Sequence, residues 1–170
     1  MSMANAAEVT SQPEENKTEL HDAYIKSLTL VERLHRQLLD VIKDEFERHG
    51  QADINSVQAL LLFNIGDSEL TAGELRSRGH YLGSNVSYNL KKLVEAGYIH
   101  HKRSDLDRRS VRVSLTELGQ DICNQVDELF KRHLSSIEQI GGISKEDFDA
   151  LNTSLERLER FWSDQIRYRL

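Results

Sequence analysis

From Glu19 to His49, apolar residues recur every three or four positions (Leu20, Tyr24, Leu28, Val31, Leu34, Leu38, Val41 or Ile42, and Phe46), and the pattern ends at Gly50. That spacing places them along one face of a long helix. The end of the chain repeats the pattern. Thr116 can cap a helix from Glu117 to about Ile140, with Leu118, Ile122, Val126, Leu129 or Phe130, Leu134 and Ile137 on one side. Gly141-Gly142 breaks it, and Ser144 can cap a last helix striped with Phe148, Leu151, Leu155, Leu158, Phe161 or Trp162, and Ile166. These helices carry more apolar surface than the segment between them needs for its own core. A second copy across a two-fold axis is the economical cover, because a closed symmetric interface buries both copies of one patch.

The centre of the chain reads differently. Asn55 can cap a helix through Val57 to Ile65 that Gly66 ends, and Thr71-Ala72-Gly73-Glu74 has capping-box spacing for a short helix to Arg78, closed by Gly79. After the turn His80-Tyr81-Leu82-Gly83, a helix from Ser84 to Ala96 turns Val86, Leu90, Leu93 and Val94 inward, and Gly97 stops it. Its other face carries Ser84, Asn85, Ser87, Tyr88, Lys91 and Lys92. Two helices about a tight turn, the second polar and basic outside, match a helix-turn-helix. A hairpin follows, from Tyr98 to Arg103, through a loop rich in Asp and Arg, to the alternating Val111-Arg112-Val113-Ser114-Leu115.

The expected architecture is therefore mainly α. A winged helix-turn-helix domain with a small β-hairpin wing is joined by an α-helical dimerisation region from both termini. Residues 1–18 read as a disordered tail, 19–53 as the N-terminal dimerisation helix, 54–116 as the winged DNA-binding domain and 117–170 as the C-terminal dimerisation helices. No apolar run is long enough for a membrane span, and the single cysteine, Cys123, excludes an internal disulfide. A cytoplasmic protein is expected.

Charge placement adds a direction. The chain totals -6, yet between Arg76 and Arg112 nine Lys or Arg stand against three acids, a local +6. A basic centre between acidic flanks is the footprint of one face meeting phosphates. Ser84, Asn85, Ser87, Tyr88 and Lys91 are positioned to reach base edges or phosphates, while Lys92, Lys102, Arg103 and Arg108 suit phosphate anchoring. The bland alternative for each is a solvated side chain. For the module as a whole it is a winged helix that binds protein and no DNA.

The order of elements over residues 19–166 resembles the MarR family of bacterial regulators. The most specific fragment is Asp107-Arg108-Arg109-Ser110-Val111-Arg112-Val113-Ser114-Leu115-Thr116, followed by Glu117-Leu118-Gly119, which fits the family's wing pattern D-x-R-x-x-x-V-x-L-T. Ser84-Asn85-Val86-Ser87 and the Glu95-Ala96-Gly97-Tyr98-Ile99 ending are similar to the family's recognition helix and its exit. Within the family, Ser84 to Arg112 looks like the LdtR type linked to cell-wall L,D-transpeptidase genes. Tyr88 departs from the basic residue of many relatives, so operator preference does not transfer.

The resemblance implies a homodimeric transcription factor on a pseudo-palindromic operator in double-stranded DNA. The helix 84–96 would lie in the major groove and the wing 98–115 in the minor groove, where Arg109 would enter and Asp107 would hold its guanidinium. It also implies a small-molecule effector, apolar or aromatic, in a pocket drawn from Leu34, His35, Leu38, Leu61, Phe63 and Ile65, residues an ordinary core would equally use. No cofactor, metal site or catalytic residue is expected. There is no G-x-S-x-G, phosphate loop or H-E-x-x-H, and His21, His35, His49, His80, His100, His101 and His133 are scattered without ligand spacing. Cys123, between Ile122 and Val126, reads as a packing residue.

Overall fold

A computed structural model describes residues 12–51, 53–71, 73–75, 83–103 and 111–168. The first helix, α1 (Gln12–Arg48), starts seven residues before the expected boundary at Glu19, so 12–18 are helical and not part of a disordered tail. Pro13 stands in its first turn, where a missing N–H has no intrahelical acceptor to lose. Gly50 ends it at φ 70°, a left-handed conformation that glycine adopts without a Cβ penalty.

Helix α2 (Ser56–Ile65) is capped reciprocally: the Gln58 N–H donates to Asn55 Oδ1 at 2.9 Å and the Asn55 N–H to Gln58 Oε1 at 3.1 Å. Strand β1 (Leu70–Thr71) follows, and then the Thr71/Glu74 pair caps the helical residues 73–75, with the Thr71 N–H donating to Glu74 and the Glu74 N–H to Thr71 Oγ1 at 3.1 Å. The rest of that short helix and the turn 79–82 lie outside the described residues. Helix α3 (Gly83–Glu95) ends at Gly97, where φ is 80° and the Tyr98 N–H reaches back to the Leu93 carbonyl at 2.9 Å.

Strands β2 (Ile99–Arg103) and β3 (Val111–Leu115) form the expected hairpin, but the sheet has three strands, not two. β1 pairs antiparallel with β3, Leu70 opposite Val113, so the order is β1-β3-β2 and the wing's return strand is central. Two residues are too few to display a period of two, so the third strand has no signature in the sequence.

Thr116 caps α4 (Glu117–Ser136), accepting from the Gly119 N–H at 3.1 Å. It also locks the helix to the hairpin: its hydroxyl donates to the Gly97 carbonyl at 2.7 Å and its own N–H to the Tyr98 carbonyl at 3.1 Å. α4 widens into a π turn, Ile137–Gly141, and Gly142 at φ 62° leads to α5 (Lys145–Tyr168). The Ser144 hydroxyl accepts from the Asp147 N–H, and the Asp147 carboxylate accepts from the Ser144 N–H. The Ser144 N–H, and after it the Ser144 hydroxyl, donate to the Asp147 carboxylate and hold its carboxyl below its ordinary pKa.

One core gathers Leu61, Leu62 and Ile65 of α2, Val86 and Leu93 of α3, Ile99 and Val113 of the sheet, and Ile122, Val126 and Leu129 of α4. α1 contributes only its C-terminal end, Ile42 and Phe46. The core therefore runs across the boundaries expected at 53/54 and 116/117: the inner ends of α1 and α4 belong to the winged module. By contrast α5 buries no residue, and Leu20, Leu34, Leu134, Leu155, Phe161 and Ile166 of the terminal helices stand exposed. Cys123 is buried, and its thiol pKa is pushed up by that burial, then by the Asp67 and Asp127 carboxylates.

Candidate nucleic-acid interface

α3 is two-sided because its apolar residues sit three and four apart. Val86, Leu90 and Leu93 are buried in the core beside the sheet, which leaves Ser87, Tyr88, Lys91 and Lys92 on the exposed side. Tyr88 is 63% exposed, more than a tyrosine that serves packing. Lys91 and Lys92 share one carboxylate, Glu95, at 3.8 and 3.3 Å, so the face keeps a positive excess. Exposed pairs of this kind are worth little and yield readily to a phosphate. Ser84 and Asn85 occupy the first turn of α3; their side chains lie outside the described residues.

The hairpin sorts its residues by register. Ile99 pairs with Leu115 and His101 with Val113 on one face; His100 pairs with Ser114 and Lys102 with Arg112 on the other. His100 and His101 therefore face opposite ways and do not form one ligand pair. Lys102 and Arg112 are exposed cations directly across from each other, an arrangement that costs stability unless an anion lies between them. Arg112 is a further outward cation, beyond those the sequence suggests for phosphate anchoring. Its signal was the alternation of Val111-Arg112-Val113, which puts it on the outer face. Arg103 is the last residue of β2, opposite Val111, and Asp107, Arg108 and Arg109 lie outside the described residues.

The expected effector residues separate. Leu61 and Ile65 are 1% exposed and belong to the core. Phe63 meets Phe130 edge to face with ring centroids 5.2 Å apart. Leu34 and Leu38 do line an open cleft, about 550 Å³, together with Val41, Phe130, His133, Leu134 and Ile137 between α1 and α4. His35 is exposed and not part of that lining. A second cavity of about 370 Å³ lies between α3 and the sheet, floored by Leu90, Val94 and Val113 and rimmed by Ser87, Lys91, Glu95 and His101.

Among the described residues no cluster of three or more His, Cys, Asp or Glu is suited to hold a metal ion, and no helix is long and apolar enough to cross a membrane.

Comparison with known proteins fits this geometry. The sequence model of the MarR family matches residues 52–110. The exopolysaccharide II synthesis transcriptional activator ExpG of Rhizobium meliloti (strain 1021) is 36% identical over 148 residues, which span 85% of this chain and 74% of that protein. Two solved structures share the fold. Streptococcus pneumoniae FabT in complex with DNA superposes with a TM-score of 0.65 at 23% identity, over 83% of this chain and 98% of FabT. A putative MarR family regulator from Listeria monocytogenes complexed with 26mer DNA gives 0.70 at 18% identity, over 83% and 91%. With a close curated relative matched along most of its length and the family model seated on the helix-turn-helix and wing, the chain belongs to the MarR family of transcriptional regulators.

Proposed function

We propose that this chain acts in the cytoplasm as a homodimer that binds a pseudo-palindromic operator in double-stranded DNA, and that it regulates transcription without catalysing a reaction. The observation that carries the reading is the two-sided α3, whose buried Val86, Leu90 and Leu93 hold Ser87, Tyr88, Lys91 and Lys92 outward. A rigid helix with small polar groups, one aromatic hydroxyl and two lysines that share a single carboxylate on its outer face suits the major groove. Ser84 and Asn85 open that helix, and its positive N-terminus favours phosphate. The wing, 98–115, reaches the minor groove through Arg109, with Asp107 orienting it. Lys102, Arg103 and Arg108, joined by Arg112, anchor phosphates. FabT and the Listeria protein were solved with DNA, which favours the same use of the shared fold.

The dimer follows from the bare apolar stripes. Segments 19–53 and 117–170 supply them, and pairing across a two-fold axis sets two recognition helices about one helical turn, roughly 10 bp, apart or a multiple of it. A small apolar or aromatic molecule with one polar group modulates binding. The α1–α4 cleft lined by Leu34 and Leu38 is of suitable size and lining for it. The test is selection from a random duplex pool followed by anisotropy titration across salt. A symmetric site whose affinity falls linearly in log salt supports the reading; equal, salt-independent binding to every duplex overturns it.

A further inference from the structure

Among the described residues, the ion pairs link groups no more than four apart along the chain, with one exception: Arg132 of α4 donates to Glu45 of α1 across 87 positions. Glu45 is nearly buried, its side chain 12% exposed, and it sits between Ile42 and Phe46, the apolar residues that plug α1 into the core. The His49 ring lies 3.8 Å from the same carboxylate. Toward the N-terminus of α1 the two helices part, and the cleft lined by Val41, Leu38 and Leu34 opens between them. Arg132 itself stands just before α4 gives way to its π turn. The pair thus sits where a long helix leaves its socket.

We propose that the Glu45–Arg132 pair is the latch that sets the angle of α1 against the winged module, and thereby the spacing of the two recognition helices in the dimer. The proposal rests on the reading of the chain as a DNA-binding dimer. Ile42 and Phe46 anchor the helix by burial, which is non-directional and tolerates rolling. A guanidinium on a carboxylate is directional, and here the carboxylate end is largely shielded from water while the guanidinium is half exposed. The lever is long: from Glu45 to Leu20 is roughly 37 Å at 1.5 Å per residue, so a tilt of about 5° displaces its end by about 3 Å. That is close to the ~3.4 Å rise of one base pair. With the far ends held in the dimer contact, the winged modules move instead. Arg132 and Glu45 are positioning residues and need not touch DNA.

The experiment measures spacing preference, which a merely structural role leaves alone. The full chain first selects its operator from random duplexes, and a panel is then made with half-site centres moved by one, two or three base pairs. Glu45→Gln and Arg132→Gln, shown dimeric by light scattering and folded by their melts, are expected to flatten the ratio between best and next spacing about fivefold, a change of about 1 kcal/mol at 1.4 kcal/mol per decade. Arg132→Lys, which keeps the charge, is expected to restore that ratio to within about twofold. If Arg132→Gln does not fold, Glu45→Gln carries the test, since it leaves only a half-exposed arginine behind. An unchanged ratio, or affinity lowered equally on every spacing, overturns the latch. A parent chain that selects no symmetric site overturns the DNA-binding reading beneath it.

Discussion

Gly119 stands in the first turn of α4 against the carbonyl of Tyr98, and a Cβ built there falls 2.1 Å from that oxygen and 3.2 Å from its carbon. The approach is about 1 Å too close for any side chain, and both partners are backbone, so no rotamer change relieves it. Gly119→Ala must therefore push the hairpin exit and the helix start apart, at the point where the Thr116 N–H bonds Tyr98 and the Thr116 hydroxyl bonds Gly97. Two effects oppose. Alanine is intrinsically better than glycine in a helix by about 1 kcal/mol. Overpacking of this kind costs about 1–3 kcal/mol, and loss of the Tyr98 hydrogen bond adds about 1 kcal/mol. The net expectation is a destabilisation of about 1–3 kcal/mol, read as a melting temperature lower by roughly 2–4 °C per kcal/mol. The assay is thermal and urea unfolding at one fixed protein concentration, since a dimer's stability depends on it. A variant as stable as the parent, or more stable by the helix-propensity increment, would refute the close approach.

Leu155→Asp with Trp162→Asp, on the bare face of α5, is expected to turn the dimer into monomer by light scattering at micromolar concentration while the far-ultraviolet spectrum stays helical; an unchanged dimer places the interface elsewhere. Lys102→Ala should weaken operator and random DNA about equally and flatten the salt slope by roughly one unit, whereas Arg109→Ala should weaken the operator preferentially. Footprints and titrations unchanged by both would remove the wing from the interface. Cys123, buried with its thiol pKa raised, should react with a disulfide reagent more slowly than free cysteine at neutral pH, and Cys123→Ser should leave operator binding and its response to peroxide unchanged. Because the folded Asp147 carboxyl titrates below its unfolded value, its contribution to the start of α5 is complete above the ordinary carboxylate pKa and is lost as pH falls through the lowered one. Amide exchange in the first turn of α5 should accelerate over that acid range, and Asp147→Ala should abolish the dependence.

What the sequence made legible follows the strength of local signals. Caps at Asn55, Thr71, Thr116 and Ser144 all form as hydrogen-bonded pairs, because a side chain three residues from a free N–H leaves few other solutions. The hairpin strands appear at β2 and β3, close to the spans that the period-two alternation suggests. The start of α1 is not legible because polar composition alone reads as a tail, while nothing in 14–49 forbids a helix. The lining of a pocket is less legible for another reason. Periodicity says which face of a helix is apolar, but not which of its residues the core covers: Leu61 and Ile65 are enclosed, and Leu34 is left at a cleft.

The wing fragment explains why the fold was more legible than the site. Val113 is buried at the centre of the sheet, Leu115 packs on the core, Thr116 bonds both Gly97 and Gly119, and Gly119 admits the Tyr98 carbonyl. These positions are fixed by contacts inside one chain, so any sequence adopting the junction must supply a small inward residue, a hydroxyl and a glycine at that spacing. The residues between them, Arg112 and Ser114, face outward, and inside the chain only their alternation constrains them. In the proposed function their identities are set by the DNA they face. The same partition runs along α3, where Val86, Leu90 and Leu93 answer to the core and Ser87, Tyr88 and Lys91 face outward, toward the DNA in the proposed function. Hence a change at an inward position should alter stability on every duplex alike, whereas a change at an outward one should reorder duplexes at constant stability. A lost base contact at Tyr88→Ala or Ser87→Ala is expected to cost about 1–3 kcal/mol on the preferred operator alone. Equal losses on all duplexes, with an unchanged melt, would assign both residues to phosphate contact and leave base reading to the first turn of the helix.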